Sequence, residues 1–415
     1  MEPSTLRGPR SLVPALLAAA LLVSLLPSPA WAGRGDRYEP TRRDVRFADR
    51  LSPLAEGERT RVVRRRIAPG LTFVKIVDRR TPRRIFVLRA DVANQPLTFD
   101  VTLAGNSLPA RATTSAMARR GGALAAINGD FSDRSTGRPI HPFVEDGTFV
   151  HAPVVRGTAF VVPRSETRAI VARPEQTVVV EDPARGLTWT VDRWNAGDPL
   201  IGEIAGFSAV GGTLAPPPTD VCSIHLAPSG PVRTSDPTGL QRTYAVDGRA
   251  CAAESMDVTS GVVLSAIAGT DEATKLFATA LGTSLTIRWD TGFANAFDVL
   301  GGGARLVDGR EVAVPAGCRV GSCHADPRTG IGVQGDGRLL LVVVDGRRRN
   351  YSIGLTTRAF ARLMRRLGAE DAVNLDGGGS STMVVEGDVM NRPSDGRERP
   401  IGNAALILPG PDPGE

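Results

Sequence analysis

The stretch AVNLDGGGSSTMVVEG, residues 372–387, decides how the rest of the chain is understood. A strand-like run at 372–375 ends in Asp376. Gly377, Gly378 and Gly379 follow, then Ser380, Ser381 and Thr382, then a second strand-like run at 383–385. Glycine at a strand end removes Cβ, so the backbone turns sharply and can approach a ligand closely. Successive N–H groups in such a turn form a concavity that attracts anions. The chemical interpretation is a cradle for phosphate or an oxyanion beside a fixed carboxylate. The structural alternative is a tight hairpin whose glycines serve geometry alone. A serine nucleophile elbow needs Gly-x-Ser-x-Gly, and the second glycine is missing. A Walker loop is excluded because no lysine follows the glycines.

Two other segments echo this one. MARRGGALAAINGDF (117–131) is a helix end, a glycine stop and a buried strand closing on Asn128-x-Asp130; MRRLGAEDAVNLDGG (364–378) repeats the order and closes on Asn374-x-Asp376. DVLGGGARLVDG (298–309) is similar around its glycines. The similarity fits either chance or two related units, each with an Asn and an Asp at a strand end. Asn128, Gly129 and Asp130 stand where the buried strand emerges, with Phe131 able to wall a pocket. Asp345 in VVVDGR has the same placement, although Asp-Gly is also a common turn. In CHADPRTGIGV, Arg328 follows a proline and can offer a two-pronged donor to phosphate; Thr329 adds a hydroxyl. Near the C-terminus, Asn391, Arg392, Arg397 and Arg399 precede the final strand; Arg392 and Arg399 could complete a phosphate site, whereas Arg397 reads as solvated loop.

Hydrolysis at an anomeric carbon usually needs two carboxylates. A phosphate leaving group changes the requirement, because it departs as an anion and needs positive charge and N–H donors more than a strong acid. Asp376 is therefore the principal catalytic candidate, with Asp345 or Asp130 as partner. Arg328, Arg392 and the amides of Gly377, Gly378 and Gly379 are the phosphate holders. Ser380, Ser381 and Thr329 orient the phosphate, and Asn128 and Asn374 meet sugar hydroxyls. No cofactor is demanded, but an oxygen-rich site of this kind could hold calcium or magnesium.

The chain starts with Arg7 and Arg10, an apolar run at 12–26, and small residues Ala30 and Ala32. This pattern predicts a signal peptide over 1–32; the run of about 15 residues is short for a membrane span. The mature chain is expected to carry no span and to be secreted or extracytoplasmic. Net charge is +6, but basic and acidic residues are interspersed. RVVRRR (61–66) and GRRR (346–349) are only short clusters, so nucleic-acid binding is not expected. Four cysteines in an exported chain favour disulfides. Local pairing gives Cys222–Cys251 and Cys318–Cys323, the simplest of three connectivities. A zinc site using Cys318, Cys323 and His324 is the rival.

After a flexible lead-in at 33–60, alternation of apolar and polar residues predicts strands at LTFVKIV, RRIFVLRADV, LTFDVTLA, GTAFVVP, QTVVVED, GLTWTVD and SLTIRWD. ALAAIN and RLLLVVVDG are expected as buried strands. Helices are expected around 113–120 and at 357–367, where Phe360, Leu363, Met364 and Leu367 share one face. The expected fold is α+β, a mixed β-rich core with a few flanking helices forming a single catalytic domain over 61–410.

The motifs AINGDF, DPRTGIGV, LLLVVVDGR, LGAEDAVNLDGGGSSTMVV and NRPSDGRERPIGNAALI, in that order, resemble the phosphodiester glycosidase family. That family includes the animal "uncovering enzyme" of lysosomal sorting and many exported bacterial proteins. The resemblance implies hydrolysis of a sugar-1-phosphodiester at a site around Asp376, Arg328, Thr329 and Asn128; phosphate-containing wall or capsular glycopolymers are the substrate class expected for an exported bacterial chain. Asn-Gly-Asp-Phe departs from the expected motif, which makes Asp130 a local variant or an added carboxylate. Residues 165–300 match little beyond strand pattern. A non-catalytic surface glycan-binding protein is the alternative.

Overall fold

The alternating segments form strands, and strands carry most of the architecture. The computed structural model describes residues 60–152, 157–164, 168–215, 220–236, 239–252, 255–293, 296–317 and 323–410. The signal peptide and nearly all of the lead-in lie outside the described residues. No helix among the described residues is long and apolar enough to cross a membrane.

An eight-stranded sheet has Thr60–Ala68 at its edge, followed by the expected hairpin, Leu71–Asp78 and Arg83–Ala90, paired antiparallel along its whole length. It continues through Leu339–Val344, Arg328–Gln334 and Ala369–Asn374. Leu339–Val344 is buried on both faces. One face is covered by the helix Thr357–Arg366. Thr356 caps its first turn by accepting from Ala359 N–H, and Leu367 and Gly368 end it. Phe360, Leu363, Met364 and Leu367 bury their shared face against Val87, Leu340 and Val342, each side chain contributing about 1.5–3 kcal/mol. Gly330 admits the helix: a Cβ there would stand 2.8 Å from the Phe360 ring.

LTFDVTLA forms the strand Leu97–Leu103, but it leaves the hairpin's sheet. It pairs with Asn403–Pro409, which pairs in turn with Ala125–Asn128 and, through that strand, Met383–Val385. The helix Thr114–Arg120 packs on the outer face of this five-stranded sheet through Met117 and Ala118. The inner face meets the eight-stranded sheet in the main core, where Phe99, Ile127, Leu341, Val373 and Ile407 gather.

A second five-stranded sheet joins this core to the middle of the chain. Phe143, Val150, Phe160 and Leu300 face the main core. Their neighbours Val144, Phe149, Val161 and Val299 face a nine-stranded sheet built from residues 177–290. Alternation by two residues thus lets one sheet serve two cores. The nine-stranded sheet contains all four expected middle strands except Thr158–Pro163, which belongs to the linking sheet. Cys222 and Cys251 face each other across neighbouring strands and form the expected disulfide. The fold is α+β and strongly β-rich, with three α-helices among the described residues.

In the linking sheet, Asp298 is buried and accepts a 3.0 Å hydrogen bond from Asp146 N–H. Burial, aided by the charges of Asp100, Asp146 and Glu145, pushes its carboxyl from 3.8 up to about 8. Between these values the folded chain retains a proton that the unfolded chain releases. Stability from this group is therefore full below the lower value and lost as pH rises through the upper one, at up to about 1.4 kcal/mol per pH unit. Asp298→Asn keeps an acceptor for Asp146 and removes the titration. Urea unfolding at pH 5 and pH 7.5 should show a flatter pH dependence in the variant; an unchanged dependence would contradict this account.

Candidate functional site

The site is assembled around one amide. Asn128 ends a strand of the five-stranded sheet and is fully buried. Its Nδ2 donates to Asp376 O at 2.7 Å. Its Oδ1 accepts from Thr329 Oγ1 at 2.8 Å and from Thr382 N–H at 3.0 Å. Asp376 N–H donates to Gly129 O, and Leu375 N–H to Thr329 O. The two Asn-x-Asp segments therefore meet across the sheets. The third glycine-rich segment joins them through Gly303 N–H, which donates to Asn374 O at 2.8 Å. Gly129 must lack a side chain, since a Cβ would fall 2.1 Å from Asn403 Oδ1.

Two adjoining cavities open where these segments meet. One, of about 220 Å³, includes Phe131, Arg328, Arg347, Asn374, Asp376 and Gly377–379 in its wall. The other, about 360 Å³, reaches Arg111, Asp133, Ser380 and Ile401. Phe131, Arg134, Asp376 and Arg399 line both. Asp376 and Arg328 thus open onto one hollow.

Asp376 is the available carboxylate. Burial raises its pKa, and the charge of Asp130 acts in the same direction; the Ser380 hydroxyl, Arg399 and Gly377 N–H oppose them. Asp130 is close enough for its charge to matter, but its oxygens are already engaged. Oδ1 accepts from Phe131 N–H at 2.7 Å and lies 2.7 Å from His141 Nδ1, while Oδ2 accepts from His141 N–H at 3.0 Å. Asp130 therefore closes the base of the loop that carries Phe131 and Arg134 to the cavities. Burial disfavours charge on His141, yet the hydrogen bond and charge of Asp130 prevail and raise its pKa. Asp345 lines neither cavity. Its carboxylate accepts from Asn391 Nδ2 and Arg392 N–H, and burial raises its pKa. It anchors the C-terminal loop. Asp326 pairs with Arg347 at 2.8 Å, and Asp133 accepts from Ser135 and Thr136 in its own loop.

The arginines are distributed differently from the expectation. Arg328 is buried, and its Nε and Nη2 donate to the carbonyls of Leu355 and His324 at 2.8 and 2.9 Å. Its fork is occupied by main chain, so it lends charge to the wall rather than a free two-pronged donor. Arg392 lies off both cavities, stacked 5.6 Å from the Tyr351 ring. Arg399 stands at the centre, donating to Asp395 and, at 3.3 Å, to Ser380 Oγ. Arg347 and Arg134 complete the set; Arg134 makes no ion pair among the described residues. Sequence reasoning had Arg347 only as part of a basic cluster and passed over Arg134, because nothing local marks which surface arginines converge.

The glycine run also works differently. Gly378 N–H donates to Pro327 O at 3.0 Å, and Gly377 N–H is held by the Asp376 carboxylate. Two of the three amides are thus already bonded, and the turn is an approach surface more than an open anion nest. Gly379 gives Arg399 its place: a Cβ there would lie 2.0 Å from Nη2. Ser381 and Thr329 are buried in the knot, with hydroxyls 3.1 Å apart. Asn128 is fully buried and lines neither cavity, so it does not reach a sugar. Asn374 instead lines the smaller cavity, and its buried Oδ1 has no partner among the described residues.

Among the described residues, the one group of three side chains able to share a metal ion is Asp100, Asp146 and Asp298. None of them lines the Asp376 cavities. Cys323 is disulfide-bonded, which removes it from the zinc alternative; Cys318 lies outside the described residues.

Residues 241–408 match the family model for phosphodiester glycosidase. Over 81 residues the chain is 44% identical to the SPbeta prophage-derived uncharacterized protein YomE of Bacillus subtilis. Over 68 residues it is 38% identical to the N-acetylglucosamine-1-phosphodiester alpha-N-acetylglucosaminidase of Mus musculus. These matches cover 20% and 16% of this chain, and only 12% and 13% of those proteins. A crystal structure of a hypothetical protein from Synechocystis shares the fold, with a TM-score of 0.69 at 19% identity over 85% of this chain and 64% of that one.

Asn128→Ala would strand the Asp376 carbonyl and the Thr382 N–H and leave the Thr329 hydroxyl with Ser381 alone. The expected loss is about 2–4 kcal/mol of stability, measured by chemical unfolding. A loss below about 0.5 kcal/mol would show that the amide does not hold the three segments together.

Proposed function

The chain belongs to the phosphodiester glycosidase family through residues 241–408, and from that premise we propose that it hydrolyses the glycosidic bond of a sugar-1-phosphodiester. One observation carries the proposal: a single available carboxylate, Asp376, stands in a hollow whose walls bring together Arg134, Arg328, Arg347 and Arg399. Ordinary glycoside cleavage calls for a second carboxylate to protonate the leaving oxygen. Asp130 and Asp345 are both bound to other groups. A phosphate ester leaves as a stable anion, and guanidinium groups stabilise the charge it gains.

In this proposal Arg134, Arg347 and Arg399 hold the phosphoryl oxygens, and Arg328 adds charge from behind. Asn374 Oδ1 accepts a hydrogen bond from a sugar hydroxyl, which fits a buried acceptor otherwise left unmet. Phe131 packs against the sugar ring. The ionised Asp376 acts at the anomeric carbon, by direct attack or through a water whose proton it takes. Its raised pKa makes it the stronger base. Gly377 to Gly379 let the substrate approach, and Ser380 fixes the Asp376 carboxylate. The whole of residues 61–410 acts as the catalytic domain. The disulfide and the leader-like N-terminus support action outside the cytoplasm, where phosphate-containing wall or capsular glycans are the substrate class.

The test is release of free sugar from a panel of sugar-1-phosphodiesters and from matched uncharged glycosides. Turnover confined to the diesters, reduced about 10²-fold or more by Asp376→Asn, supports the proposal. Equal cleavage of the uncharged set would remove phosphate from the mechanism. Binding of the diesters without turnover would favour a glycan-binding protein.

The pH profile gives a second check. With Asp376 working ionised, kcat/KM should rise with pH through a limb above the usual carboxylate range. Arg399 normally lowers this pKa, so Arg399→Gln should move the limb to higher pH while also raising KM. A limb that stays in place would separate it from Asp376.

A further inference from the structure

We propose that the protein carries a second saccharide-binding site, in a cavity of about 630 Å³ between the linking sheet and the nine-stranded sheet. The cavity shares no residue with the walls around Asp376, and the proposal does not depend on what Asp376 does.

Its floor is aromatic. Trp289 meets Trp194 and Tyr244 edge to face, with ring centroids 5.3 and 6.4 Å apart. Trp194 satisfies its indole N–H on Phe149 O at 3.1 Å. Trp289 does not: it is 7% exposed, it lines the cavity, and its buried Nε1 has no partner among the described residues. A buried indole N–H without an acceptor costs free energy comparable to a lost hydrogen bond, and native proteins rarely keep one without use. A ligand oxygen in the cavity would satisfy it.

The rim is polar. Thr148, Ser208 and Ser260 offer hydroxyls. Arg164 and Arg242 stand there with guanidinium carbons 4.4 Å from the Phe297 ring and 5.7 Å from the Tyr244 ring. Asp146 supplies an acceptor. Donors and acceptors of both charges around an aromatic floor suit a ring that is apolar on its faces and hydroxylated at its edge. A purely apolar chain would leave the indole N–H unmet. The volume lies within the usual range for small-molecule sites.

Cellobiose and maltose are the neutral probes, with toluene as the apolar control, and tryptophan emission of the full chain is followed during titration. The proposal expects a saturable change with at least one disaccharide at millimolar concentration. Arg399→Gln should leave that affinity unaltered. Trp289→Phe keeps a ring but removes the N–H, and should weaken binding about five- to tenfold. Arg242→Gln, at the rim, should weaken it independently if the first variant folds poorly. Absence of a saturable response to both sugars overturns the proposal. So does a response abolished by Arg399→Gln, one unchanged in both cavity variants, or one produced by toluene alone.

Discussion

The side-chain amide of Asn128 is the constraint on which the candidate site depends. It sits where two sheets converge, and its donor and acceptor reach a third and a fourth segment of chain. Asp376 is held by its own backbone, with its carbonyl bound to Asn128 and its N–H bound to Gly129 O. The carboxylate can therefore be partly buried and remain positioned, with no need for a side-chain partner strong enough to neutralise it. A buried amide bonded in this way rigidifies its surroundings because every alternative arrangement leaves polar groups unmet.

The division of labour among the acids follows from the same geometry. Three aspartates stand at strand ends or just beyond them, in similar sequence surroundings. Asp130 is bound by His141 and by its own loop, Asp345 by Asn391 and Arg392, and Asp376 faces the hollow. Neighbouring backbone N–H groups decide which carboxylate is structural. Positive charge is handled in parallel: Arg328 is locked to carbonyl groups, while Arg134, Arg347 and Arg399 reach the cavities from loops. The loops are tied at their bases by Asp130, Asp326 and Asp395, so the guanidinium groups are brought close without each needing burial.

The linking sheet gives the molecule its second half. Because its strands alternate side chains between two cores, the Asp376 hollow and the aromatic cavity are built on layers of one framework and share no lining residue. The two regions can therefore vary separately in what they bind. This fits the weak pattern of residues 165–300 beside the strongly marked motifs on either side.

The local features were legible in the sequence. Alternation gave the hairpin Leu71–Asp78 and Arg83–Ala90, and one apolar face gave the helix Thr357–Arg366. Cysteine spacing gave Cys222–Cys251, and the Asn-x-Asp echo marked two strand ends that do meet. These signals are local because the period of a strand or helix is written in neighbouring residues. The sheet that receives Leu97–Leu103, the locking of Arg328, the role of Asn128 as a tie and the arrival of Arg134 and Arg347 were settled only by tertiary structure. Each depends on partners that no local period specifies, such as Leu355 for Arg328 and the strand Asn403–Pro409 for Leu97–Leu103, and a polar residue's role depends on whether those partners meet its hydrogen-bonding capacity.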